Sequence, residues 1–98
     1  KTVKGRVFVD EGAKNALLNK GSSLLPVGVV SAEGNFKKGD CVSVCTIKGE
    51  EIGRGIVSVG INDLLMIKGK KTAEIKKDYP DIDVEEVIHR DNMILFFS

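Results

Sequence analysis

The chain has 98 residues, with 15 lysines and arginines against 14 aspartates and glutamates, for a formal charge of +1. That length holds one core, so two domains are excluded, and so balanced a charge excludes a general field for drawing in nucleic acid or acidic lipid. Eleven glycines, one tyrosine, four phenylalanines and no tryptophan, with Val and Ile in short runs, favour a strand-rich fold with tight turns over a helical bundle.

Val3 to Asp10 alternates around Val7 and Val9 and reads as a strand. Asp10 then stands where a helix N-cap belongs, Glu11 complements the helix dipole, and Ala13, Ala16 and Leu17 recur at helical spacing up to Gly21. The spacing predicts a helix over Glu11 to Lys20, its narrow apolar stripe laid against a sheet. In GSSLLPVGVV, Gly21 to Val30, the proline directs Leu24 to Pro26 into a rigid extended approach to a strand. Gly28 marks a bend or a close crossing of backbone.

Gly34-Asn35 and Lys37 to Asp40 supply turn chemistry on either side of Phe36. In CVSVC, Val42 and Val44 point one way and Cys41, Ser43 and Cys45 the other, as in a half-buried strand. Lys48-Gly49-Glu50 is a hairpin turn, and Glu51 to Val59 reads as the partner strand, curved at Gly53 and Gly55. Asn62 is placed to cap a helical turn over Asp63 to Ile67 that ends at Gly69, and Thr72 to cap another over Ala73 to Asp78 that stops before Pro80. Asp81 to Glu86 is acidic and expected at the surface, and Val87 to Phe97 reads as a last strand. The expected core comprises Leu24, Leu25, Val29, Val42, Val44, Ile52, Ile56, Val57, Ile88, Ile94 and Leu95.

No apolar run approaches the roughly 20 residues that span a bilayer. Beginning at Lys1 without a charged-then-apolar leader, the chain reads as a piece of a longer protein. Along one strand Cys41 and Cys45 stand about 13 Å apart, beyond the roughly 7 Å a disulfide allows. Reduced thiols and a cytoplasmic setting are therefore expected. The same separation, with a single histidine, leaves too few ligands for zinc.

His89-Arg90-Asp91 spells the opening of a protein-kinase catalytic loop, but Asn92 follows at once, and neither a glycine-rich loop nor a DFG accompanies it. A polar quartet that pairs or caps neighbouring backbone is the expected role. Lys68, Lys70, Lys71, Lys76 and Lys77 form the basic cluster, which Glu74 and Asp78 partly neutralise. No constellation of nucleophile and base is spelled out, so no catalytic, cofactor-binding or metal residues are assigned.

The whole pattern resembles the PUA domain, a small pseudo-barrel module, and is most similar to the C-terminal PUA domain of bacterial glutamate 5-kinases. The resemblance is carried by SLLPxGV (Ser23 to Val29), EGxFxxGD (Glu33 to Asp40) and HRDN (His89 to Asn92), supported by Asp10 with Gly12-Ala13, by Arg54-Gly55 and by Thr72 with Glu74-Ile75. Gly53 departs from the alanine usual there, and Val57 to Gly60 from an asparagine-tyrosine-serine-serine segment. The resemblance implies a mixed α/β, mainly β, PUA-type pseudo-barrel over residues 1–98, in the order β-α-β-β-β, two short helices and a final strand. It implies further that ATP, magnesium and glutamate bind elsewhere in a parent enzyme, that this piece is a regulatory accessory without catalysis, and that its partners are its own amino-acid-kinase domain or a sister subunit. Relatives with the same module bind RNA. The surface they use carries Lys14, Lys20, Ser22, Ser23 and Arg90 here, enough for weak binding only. No membrane partner is expected.

Overall fold

β1 (Val3–Val9) is the hub of the molecule, because its inward Val7 and Val9 are buried and both of its edges are paired. In the computed structural model, which describes residues 2–97, β1 runs antiparallel to β2 (Val29–Gly34) and parallel to β3 (Cys41–Thr46). β4 (Glu51–Ile56) returns antiparallel to β3, and β5 (Met93–Leu95) antiparallel to β4. The resulting mixed sheet has the order β2-β1-β3-β4-β5. Three short helices complete the fold: α1 (Glu11–Lys20), α2 (Ile61–Ile67) and α3 (Thr72–Asp78). The radius of gyration is 12.1 Å.

α1 forms as its sequence dictates. Asp10 Oδ1 accepts a hydrogen bond from the Ala13 N–H at 2.7 Å, and Gly21, at φ 62°, donates its N–H to the Ala16 carbonyl. Leu17 is its one buried residue, and Ala13 packs against the core beside it. Gly28 meets the expectation of a close approach: a Cβ there would lie 2.6 Å from the Ala13 Cβ, so only glycine lets α1 seat on this turn.

Several expected boundaries move. Leu25 is extended, but Pro26–Gly28 winds into a 3-10 turn before β2 starts at Val29. Proline's fixed φ and missing N–H suit the first position of a helical turn, where no donor is required. β3 is buried on both faces, not half-buried: Ser43 is 8% exposed and Cys45 2%. Its position between β1 and β4 brings Arg6 and Arg54 into register on either side of Ser43. β4 ends at Ile56, short of Val59, because β3 begins only at Cys41 and offers no partner beyond it. Val57 pairs instead with the preceding turn, donating to the Asp40 carbonyl at 3.0 Å and accepting from the Gly39 N–H at 2.9 Å.

α2 starts at Ile61 with Gly60 as its cap, and α3 starts at Thr72 with Lys71 as its cap, so neither Asn62 nor Thr72 caps as expected. Ile61 packs against the core from the first position of α2, which winds the helix back by two residues. In the acidic segment Asp81, Asp83 and Glu85 face solvent, while Ile82 and Val84 between them pack against the core.

The stretch from Val87 to Phe97 is not one strand. Ile88 makes a single antiparallel bridge to Leu24, Arg90–Asn92 forms a 3-10 turn, and β5 follows. The turn is stabilised locally by the Asn92 N–H donating to the His89 carbonyl at 2.9 Å. Gly53 and Gly55 admit this returning chain. A Cβ at Gly53 would stand 2.6 Å from the Ile94 carbonyl oxygen, and one at Gly55 2.6 Å from Ile88 Cγ2.

Of the expected core, Leu24, Val29, Val42, Val44, Ile52, Val57 and Ile88 are buried, and Ile56 and Leu95 are half-buried. Leu25 and Ile94 are exposed, at 44% and 71%. They lie beside the bridge and on the sheet's outer face, positions that local hydrophobicity does not reveal. Leu17, Phe36, Leu64, Ile67, Ile75 and Val87 supply core that the expectation omitted.

Replacing Gly28 with valine should lower the stability to urea by about 1–3 kcal/mol, the usual cost of overpacking. A Gly28→Val chain as stable as the parent would contradict the seating of α1.

Candidate interaction surface

The end of α1 and the start of the last segment are brought together by the bridge between Leu24 and Ile88. Leu24 donates its N–H to the Ile88 carbonyl at 2.9 Å, and its own carbonyl accepts from the Val87 N–H at 2.7 Å. One residue earlier, Ser23 Oγ accepts the Arg90 N–H at 2.9 Å. A shallow crevice of about 410 Å³ opens there, lined by Ser22, Ser23, Leu25, Glu86, His89 and Arg90.

The histidine is oriented by its own turn. Its Nδ1 accepts the Asp91 N–H at 3.0 Å, which leaves Nε2 as the protonated nitrogen of the neutral ring, 3.9 Å from Glu86 Oε1. The expected capping role of the HRDN quartet is met by this bond, while the Arg90 N–H is itself capped by the Ser23 side chain. What the crevice offers is hydroxyls, an imidazole N–H, a guanidinium and one carboxylate. Such groups suit hydrogen-bonding recognition, and none is paired as nucleophile with base.

The five residues singled out from the sequence do not all meet here. Ser22, Ser23 and Arg90 share the crevice, and Lys20 lies exposed in the last turn of α1 just before it. Lys14 faces elsewhere: its Nζ is 3.9 Å from Glu50 Oε1, in the β3–β4 turn. Glu86, His89 and Leu25 were missing from that set. Only the pairing of position 24 with position 88 makes them neighbours, and nothing in the sequence spells out that pairing.

Beside the crevice, an apolar groove of about 340 Å³ runs between α1 and the 3-10 turn, floored by Ala13, Ala16, Leu17, Leu24 and Val27. In the lysine cluster, Lys70 pairs with Glu74 at 3.5 Å and Lys76 with Glu85 at 3.8 Å. Among the described residues no group of three or more His, Cys, Asp or Glu side chains is placed to hold a metal ion, and both cysteines are free.

The outer sheet face carries a separate polar network. Glu33, Arg6, Ser43 and Arg54 stand in register across four strands, with Arg6 3.3 Å from Glu33. Glu51 accepts from both Ser43 Oγ and Arg54 Nε, the latter at 2.9 Å. The Arg54 bond and then the Ser43 bond hold the Glu51 carboxyl below the usual carboxylate range. Burial, with Glu51 nearby, pushes the Cys45 thiol up and keeps it protonated.

A family model for the PUA domain matches residues 5–79. Over 92 residues the chain is 54% identical to the glutamate 5-kinase of Dictyoglomus thermophilum, a match covering 94% of this chain and 25% of that protein. The chain thus spans about a quarter of the length of the curated relatives it matches, their C-terminal quarter. Among solved structures, it superposes with a TM-score of 0.62 on a PUA domain from Aeropyrum pernix in a tartrate complex, at 29% identity over 88% of this chain and 41% of that one. It superposes with a TM-score of 0.60 on a chain of an archaeal box H/ACA sRNP complex, at 26% identity over 90% of this chain and 26% of that one.

Because Glu51 ionises more readily folded than unfolded, its contribution to stability is present above the unfolded carboxylate value of about 4.3 and is lost as the pH falls through its lower folded value. Thermal melts of Glu51→Gln should therefore fall below the parent at pH 7, with the gap closing in acid. A gap that is absent at pH 7, or unchanged at about pH 2, would contradict the Glu51 network.

Proposed function

This chain belongs to the PUA domain family, and from that membership we propose that it is the non-catalytic accessory domain of a glutamate 5-kinase. The parent is then an ATP- and magnesium-dependent cytoplasmic enzyme that phosphorylates the γ-carboxyl of L-glutamate, the first step of proline biosynthesis. The observation that carries this reading is the 54% identity to one such enzyme over a match of domain size. In-line phosphoryl transfer demands a cradle for the phosphates and carboxylates for magnesium. Those belong to the rest of the parent. The domain regulates by touching its own amino-acid-kinase domain or a sister subunit.

One observation favours a second role, RNA recognition. Ser22, Ser23, His89 and Arg90 gather in one crevice with Lys20 beside it, and a similar chain belongs to an sRNP. Phosphate affinity scales with the cations that engage it, and here two remain near the crevice once Lys14 is turned toward Glu50. With a net charge of +1 and no phenylalanine, tyrosine or tryptophan among the residues lining the crevice, only the His89 ring is there to stack, and stacking and counterion release are both limited. Regulation is the reading we adopt.

Calorimetric titration with magnesium-ATP should give no heat from a site tighter than about 1 mM, and labelled structured RNA should bind no tighter than about 1 µM at physiological salt. Submicromolar, salt-resistant RNA binding that is lost in Lys20→Ala and Arg90→Ala would reverse the choice. A submillimolar ATP site would overturn the non-catalytic reading and reopen the enzyme hypothesis for this domain.

A further inference from the structure

The sheet has two edges, and they are treated differently. On the β2 side, α2 packs against the strand. On the β5 side, no further strand follows in the sheet order among the described residues. The Phe96 N–H donates to the Ile52 carbonyl at 2.8 Å, and Ile94 stands opposite Arg54. In an antiparallel ladder bonded and non-bonded positions alternate, so Ile94 shares the inward-bonding class of Phe96. The N–H and C=O groups of Met93 and Leu95 therefore point away from β4, and among the described residues neither makes a backbone bond outside the ladder.

The side chains complete the edge. Met93 and Leu95 turn in against the core, while Ile94, Phe96 and Phe97 are 71%, 44% and 72% exposed. Protected edge strands carry a lysine, a proline or a bulge. Met93 to Phe97 contains no proline and no charged residue, and the β4–β5 register runs without a shift.

We propose that β5 is a pairing edge through which two copies of this chain join their sheets antiparallel about a two-fold axis at Ile94. The pattern is self-complementary. Laid antiparallel on itself, Met93 of one copy faces Leu95 of the other, and each offers the N–H and C=O that the other lacks. Ile94 then meets its own counterpart at a non-bonded position, with Cα atoms about 4.5 Å apart. A two-fold contact uses the same patch twice, and an uncharged patch does so without self-repulsion. The contact names a sister copy as the partner within the accessory reading and rests on that reading for its setting. Its strand is short, so pairing is weak in the free domain.

Sedimentation equilibrium of the 98-residue chain from about 10 µM to about 1 mM should show its mass rising above 10.6 kDa toward that of a dimer. Ile94→Lys should weaken the association at least about tenfold with an unchanged melting temperature. Ile94→Cys should form covalent dimers on mild oxidation, as Cα atoms this close permit, in far higher yield than Ile47→Cys, whose native side chain is 65% exposed. A chain that stays monomeric across the range, or dimers indifferent to Ile94→Lys, would overturn the pairing. If such a chain also fails to bind RNA, the pairing falls and the accessory reading stands.

Discussion

A single β-bridge, Leu24 to Ile88, closes this molecule. The five-strand sheet accounts for β1 to β5, but it leaves two long connections to be tied down: α1 with its turn, and the stretch through α2 and α3. The bridge joins their ends. Leu24 bonds to both Val87 and Ile88, and Val87 accepts in turn from the Ser58 N–H at 2.8 Å. Leu24, Val87 and Ile88 are all buried, so these backbone groups have no water to replace a lost partner. Residues far apart in sequence thereby become one surface, on which Ser23 meets Arg90.

The glycines make that closure possible. Gly28 lets α1 sit against the turn before β2, and Gly55 lets Ile88 cross β4 at a distance no side chain would permit. Each is set by a neighbour distant in sequence and not by its own turn. Positive-φ positions such as Gly21 are different, because the helix end itself demands them.

This distinction explains how much of the fold was legible in the sequence. Where the cause is local, the expectation holds to the residue: Asp10 caps, α1 runs from Glu11 to Lys20, and Gly21 ends it. Where the cause is a partner across the fold, it slips. β4 stops early because β3 offers no partner before Cys41, and the last segment divides because Leu24 takes Ile88 out of line with β5. Hydrophobicity placed Ile94 in the core, but its register against Arg54 turns it outward. The candidate site divides in the same way. Ser22 and Ser23 were visible as the punctuation after a helix, whereas the company of Glu86 and His89 follows only from the bridge.

The candidate surface is assembled by closure of the fold, which gathers hydrogen-bonding groups from two segments far apart in sequence. The account depends most on the bridge, and amide hydrogen exchange reads it directly. The amides of Leu24, Val87 and Ile88 should exchange as slowly as those of Val7 and Val44 in the central strands, opening only with global unfolding. Exchange of those three at the rate of an exposed turn such as Lys48-Gly49, while β1 and β3 stay protected, would contradict closure by the bridge.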